Sequence, residues 1–180
     1  MEKITVGIEG LLLFNPKVFK DERGEFFETY NYEKYASQLP NVNFVQDNLS
    51  KSHKNVLRGL HFQLPPFEQG KLVQVIKGRA LDVAVDIRKN SKTYGHYFSV
   101  ELSEINKIQF WIPPGFAHGF LSLEDDTLFA YKCTNNYSPG HEKTILWNDS
   151  QLAIDWKETQ LIVSSKDTEG IPFTDFNSPF

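Results

Sequence analysis

Three polar side chains suited to proton transfer or anion binding interrupt one apolar run: Arg58, His61 and Gln63 in V-L-R-G-L-H-F-Q, Val56 to Gln63. The Val, Leu and Phe spacing reads as a half-buried strand. A polar group buried there without a partner costs roughly 1–3 kcal/mol, so these residues need a reason to be present. An imidazole, with an unperturbed pKa of about 6.5, is a ready general base near neutral pH. A guanidinium keeps its charge and forks around phosphate oxygens. Period two puts His61 and Gln63 on one face and Arg58 on the other. Arg58 joins them only if the strand bends or bulges at Gly59, which an interior glycine permits. A second polar point, His118, follows the rigid turn of P-P-G-F-A-H-G-F, Pro113 to Phe120.

The elements that must carry these groups read almost entirely as strands. Phe26–Tyr30, Lys71–Ile76, Leu81–Arg88, Tyr97–Leu102, Ile108–Ile112, Ala117–Leu123 and Thr127–Cys133 are separated by turn-forming stretches. In L-D-V-A-V-D-I-R, Leu81, Val83, Val85 and Ile87 share one face, while Asp82, Ala84, Asp86 and Arg88 share the other. Helix is expected only over Tyr32–Gln38, ending before Pro40, and in a short piece after Trp147. Many short strands with regular turns point to an all-β sandwich or small barrel.

At 180 residues, without internal repeat or linker, the chain is expected to form one domain over 1–180. The 14% aromatic share suits sheets and a ring-lined pocket. A single cysteine, Cys133, allows no internal disulfide and no cysteine-based metal cluster. A net charge of −4 without a basic block argues against nucleic acid as the partner. It leaves room for a few cations converging on an anionic small molecule. No apolar run approaches the roughly 20 residues that span a bilayer, and the first residues do not read as a signal peptide. A cytoplasmic setting without membrane contact is expected.

His61 and P-G-F-A-H resemble part of the motif of the metal-binding cupins, small jelly-roll barrels. Glu68 stands at the spacing of their glutamate, whereas Gln63 replaces their second histidine and weakens a metal site. The fuller series is closer to another branch. F-K-D-E-R-G-E-F-F-E, Q-D-N-L-S-K-S, V-L-R-G-L-H-F-Q, Q-G-K-L-V-Q-V, D-V-A-V-D-I-R, W-I-P-P-G-F-A-H-G-F and S-S-K-D, spread from Phe19 to Asp167, resemble the dTDP-4-dehydrorhamnose 3,5-epimerases. These are metal-free cupins of the rhamnose pathway. The resemblance implies a double-stranded β-helix jelly roll with short peripheral helices, no cofactor, a dTDP-sugar ligand and a homodimer.

It also implies roles. Epimerisation beside a ketone needs a base, an acid across the sugar ring and cations or donors for the enolate oxygen. By that likeness His61 is the base and Tyr131 the acid on the opposite face. Lys71 lies near the ketone oxygen, and Asp167 orients His61, with Asp82 as the alternative partner. Arg23, Arg58, His118 and Lys166 surround substrate and diphosphate. Gln46, Asp47, Asn48, Glu28 and Glu142 contact the ligand, and Tyr137 is a stacking platform for thymine. Other readings stay open: epimerisation at C3 or C5 alone, ketoisomerisation, a metal cupin, or a sugar-nucleotide binding module without catalysis.

Overall fold

A computed structural model describes residues 1–180. Fourteen strands carry the fold: β1 Glu2–Thr5, β2 Leu12–Asn15, β3 Val18–Asp21, β4 Gly24–Phe27, β5 Gln46–Ser52, β6 Val56–Gln63 and β7 Lys71–Lys77. They continue as β8 Arg79–Asp86, β9 Tyr97–Ser103, β10 Gln109–Ile112, β11 Phe116–Ser122, β12 Thr127–Cys133, β13 Glu142–Thr144 and β14 Ile162–Val163. Two helices, α1 Tyr32–Ala36 and α2 Ser165–Thr168, and a 3₁₀ turn at Phe173–Asp175 complete it.

One six-stranded sheet runs β1-β2-β10-β7-β12-β5. The opposing sheet runs β13-β6-β11-β8-β9, with β14 added in parallel beside β6. The hairpin β3–β4 pairs only with itself. The two sheets close over a shared apolar interior, forming the jelly roll of the cupins. Val73, Val75, Phe110, Ile112 and Phe129 come from the first sheet, and Ala80, Ala84, Leu102, Phe116 and Phe120 from the second.

The alternation in β8 has a specific meaning. Ala80 and Ala84 point into the barrel, whereas Leu81, Val83 and Val85 point outward into a second core. That second core is completed by Leu152, Trp156 and Phe173 from the C-terminal segment. Both faces of β8 are therefore buried, and Asp82, on the inward face, has to find a polar partner there. The first sheet is covered more sparingly: Tyr35 and Leu39 of the α1 region pack on Phe14, Leu72 and Trp111.

Several boundaries differ from the sequence expectation for local reasons. The strand expected over Leu81–Arg88 stops at Asp86, whose carboxylate accepts from the Arg88 backbone N–H and guanidinium and so turns the chain. Helix α1 is one turn long, begun by the Asn31 side chain accepting from Lys34 N. The strand expected to reach Tyr30 ends at Phe27. After Trp147 the chain first makes turns held by Asp149, and the short helix expected in that region is α2. Strands β1, β5 and β13 carry too few apolar residues in sequence to announce themselves, and β2, β3 and β14 are only four, four and two residues long.

Candidate active site

Strand β6 answers the question of Arg58 and His61. Leu57, Leu60 and Phe62 all face the outer core, so the outward parity slips by one residue between Leu57 and Leu60. The register with β11 slips at the same place: Arg58 pairs with Phe120, yet His61 pairs with His118. The slip centres on Gly59, whose φ of +134° is open to glycine but strained for other residues. Arg58, His61 and Gln63 consequently share the inner face, and Arg58 and His61 line one cavity of about 520 Å³.

His61 is held by the residue expected from S-S-K-D. Its Nε2 lies 2.5 Å from Asp167 Oδ1. The His61 side chain is 26% exposed, and that of Asp167 only 4%. Ser164 caps α2 by accepting from Asp167 N, and Asp167 Oδ2 accepts from Gly59 N at 3.4 Å. Burial pushes the Asp167 carboxyl upward, but its bonds to His61, Gly59 and Ser164 outweigh this and hold it below the ordinary aspartate value. A charged carboxylate behind the ring fixes its orientation and favours the imidazolium.

Asp82 serves a different ring. Both its oxygens, at 3.0 and 2.9 Å, face His118 Nε2. Burial pushes Asp82 up and His118 down, with each partner's charge acting against the shift. Two histidine–carboxylate pairs thus stand side by side on β6 and β11, one accessible and one buried. Lys71, half-buried at the start of β7, lines the same cavity, and burial lowers its pKa. Tyr131 of β12 also lines it, its phenol pushed up by burial. The stacked rings of Phe120 and Phe129, 4.0 Å apart and nearly parallel, supply apolar surface between the polar groups.

An adjoining cavity of about 280 Å³ shares His61, Lys71, Tyr131 and Glu142 and adds Gln46, Asn48 and Tyr137. Tyr137 Oη donates to Glu142 at 2.7 Å, and Lys166 Nζ donates to the same carboxylate. Burial raises Glu142, but those bonds outweigh it and keep the group low. Gln46 Oε1 accepts from Tyr137 N at 2.8 Å, and Gln46 Nε2 donates to Asn48.

Three expected ligand contacts fall elsewhere. Asp47 alternates with Gln46 and Asn48 on β5, so it points to the other face and pairs with Lys132. Arg23 pairs with Asp21 in the β3–β4 hairpin, and Glu28 bonds Asn31 and Lys34 beside α1. Neither lines this chain's cavity. Sequence reasoning missed Ser50, Phe120, Phe129 and Ser164 on the cavity wall. Ser50 lies two residues from Asn48 and Phe129 two from Tyr131, so period two was the available signal. Glu68 does not line either cavity, Gln63 is committed to backbone groups, and no three His, Cys, Asp or Glu side chains are grouped to hold a metal ion.

The family model described as dTDP-4-dehydrorhamnose 3,5-epimerase matches residues 5–175. The chain belongs to that family. A dTDP-4-dehydrorhamnose 3,5-epimerase of Salmonella typhimurium is 54% identical over 153 residues, 84% of each protein. The crystal structure of the Legionella pneumophila 3,5-epimerase RmlC, in complex with dTDP-4-keto-L-rhamnose, superposes with a TM-score of 0.94 at 47% identity. It covers 98% of this chain and 94% of that one. A 3'-monoepimerase from Streptomyces bikiniensis, in complex with dTDP-quinovose, has a TM-score of 0.88 at 29% identity, covering 94% and 87%. Membership of the 3,5-epimerase family makes the chain an isomerase, and the cavity around His61 its candidate active site.

Proposed function

We propose that this chain inverts C3 and C5 of dTDP-4-dehydro-6-deoxy-D-glucose, giving dTDP-4-dehydro-L-rhamnose for dTDP-L-rhamnose synthesis. The observation that carries the reading is the His61–Asp167 pair opening into a cavity also lined by Lys71 and Tyr131, in a member of this family. The C4 ketone acidifies the hydrogens on C3 and C5. With Nε2 engaged by Asp167, His61 Nδ1 takes such a proton, and the C–H electron pair moves into the enolate. The Asp167 carboxylate stabilises the imidazolium that forms. Lys71 offers charge and hydrogen bonds to the C4 oxygen as negative charge develops there. Tyr131 returns a proton from its hydroxyl to the opposite face, inverting the carbon. The chemistry is proton transfer within one domain and calls for no cofactor.

Arg58, His118 and Lys166 serve the sugar and diphosphate. Gln46, Asn48, Glu142 and the exposed ring of Tyr137 serve the nucleoside. Arg23 on the β3–β4 hairpin and Glu28 just beyond it take part through a homodimer, reaching a neighbour's cavity. Support for this comes from the hairpin's Phe19 and Phe26, which are 51% and 66% exposed, more than a settled monomer surface needs. No helix is long and apolar enough to cross a membrane, and the enzyme works in the cytoplasm beside its nucleotide-sugar substrate.

The test is NMR of dTDP-4-dehydro-6-deoxy-D-glucose with the protein in D₂O. Deuterium at both C3 and C5, with the rhamno product trapped by a reductase, is expected. Deuterium at one carbon makes the chain a monoepimerase or ketoisomerase. Tight binding without exchange makes it a binding module.

A further inference from the structure

The second histidine of the metal-binding cupin motif is replaced here by Gln63, and the structure gives that glutamine a full set of partners. Gln63 is 4% exposed. Its Nε2 donates to Phe67 O at 2.5 Å and to Asn136 O at 3.2 Å, while its Oε1 accepts from Ser138 N at 2.7 Å. Gln46 Oε1 takes the intervening Tyr137 N–H. Three consecutive residues, 136 to 138, therefore have backbone groups held by two glutamines on β5 and β6. An amide matches two carbonyls and one N–H with two donors and one acceptor. An imidazole has only two ring nitrogens and cannot meet all three.

We propose that Gln63 is a positioning residue for nucleotide recognition: it clamps the segment carrying Tyr137 so that this ring is already in place when the base arrives. This rests on the reading of Tyr137 as the stacking platform. A platform ordered beforehand loses little freedom on binding, so the clamp acts on affinity rather than on proton transfer at His61.

The test uses the full chain and thymidine diphosphate, with affinity measured by calorimetry. Gln63→Ala is expected to weaken binding about tenfold, the scale of losing the bonds that order one segment. KM should rise in step, while deuterium exchange at saturating substrate stays close to wild type. Tyr137→Ala should weaken binding as well, and adding Gln63→Ala to it should cost little more, because both act through one ring. Gln63→Glu keeps the volume and the acceptor for Ser138 while setting a carboxylate against two carbonyls. It should weaken binding in the same direction, and it serves if the alanine variant does not fold.

Fully additive losses in the double variant overturn the clamp. So does wild-type affinity in folded Gln63→Ala or Gln63→Glu while Tyr137→Ala binds weakly. Wild-type affinity in Tyr137→Ala removes the platform reading itself, and the clamp with it.

Discussion

Gly59 and Gly119 lie back to back where β6 meets β11, so close that a Cβ built on Gly59 would stand 2.5 Å from Gly119 Cα. A Cβ on Gly119 would stand 2.8 Å from the carbonyl oxygen of Arg58. This contact lets β6 slip its register between Arg58 and His61, and both strands depend on it.

Either alanine substitution should therefore damage stability and site together. Gly119→Ala meets fixed backbone, and overpacking of this kind costs about 1–3 kcal/mol. Gly59→Ala adds the strain of φ +134° and should cost more. Denaturant unfolding and substrate deuterium exchange, measured on the same samples, check this. Unaltered stability in both variants would mean the strands part at no cost.

Asp167→Asn removes the charge that supports an imidazolium while keeping the side chain's shape. Proton exchange should fall by roughly 10²–10⁴-fold, the usual worth of positioned acid–base catalysis. Thymidine diphosphate affinity should change little. Exchange within a few-fold of wild type would free His61 from any need of its carboxylate.

Tyr131→Phe separates the two halves of the reaction. Removal of the substrate proton should persist, while product formation drops by about 10²-fold for want of a donor on the far face. Single-turnover NMR in D₂O distinguishes the two rates. An equal fall in both assigns Tyr131 to substrate positioning.

Asp86 predicts a pH-dependent stability far from the cavity. Burial alone would raise its carboxyl, yet bonds from Arg88, Ser91 and Thr93 lower it from 3.8 to about 2. A group depressed in the folded state stabilises it above the unfolded value, near 3.8, and loses that contribution as pH falls toward 2. The pH-dependent part is about 2 kcal/mol at neutral pH. Asp86→Asn should thus be the less stable protein at pH 7 by about this amount, with the difference shrinking on acidification. Urea unfolding across pH checks it, and a gap independent of pH would contradict the assignment.

The sequence made the strand-rich fold legible because Leu81–Ile87 alternates cleanly and Thr127–Cys133 is a short, largely apolar run set off by the turn E-D-D. It could not announce β5, whose inward row of Gln46, Asn48 and Ser50 is polar because it lines a cavity. The same polarity disguised Asp47, which belongs to the motif by position but not by face. Parity also made Arg58 conditional, and only the slip at Gly59 resolves it. Only the family resemblance favours Asp167 over Asp82 as the partner of His61; tertiary structure brings that residue, 106 positions away, onto the ring and assigns Asp82 to His118. Long-range pairings of that kind leave no local trace.

Strand β8, enclosed on both faces, makes the two walls of the cavity unequal in how often they open. Amides of β8 and β11 are expected to exchange with solvent most slowly, approaching the limit of global unfolding, whereas those of the edge strand β5 exchange through smaller fluctuations. The wall that holds Asp82 and His118 is in this sense the anvil. The wall bearing Gln46 and Asn48 lies on a strand bonded along one edge only, and its amides are expected to report the smaller fluctuations.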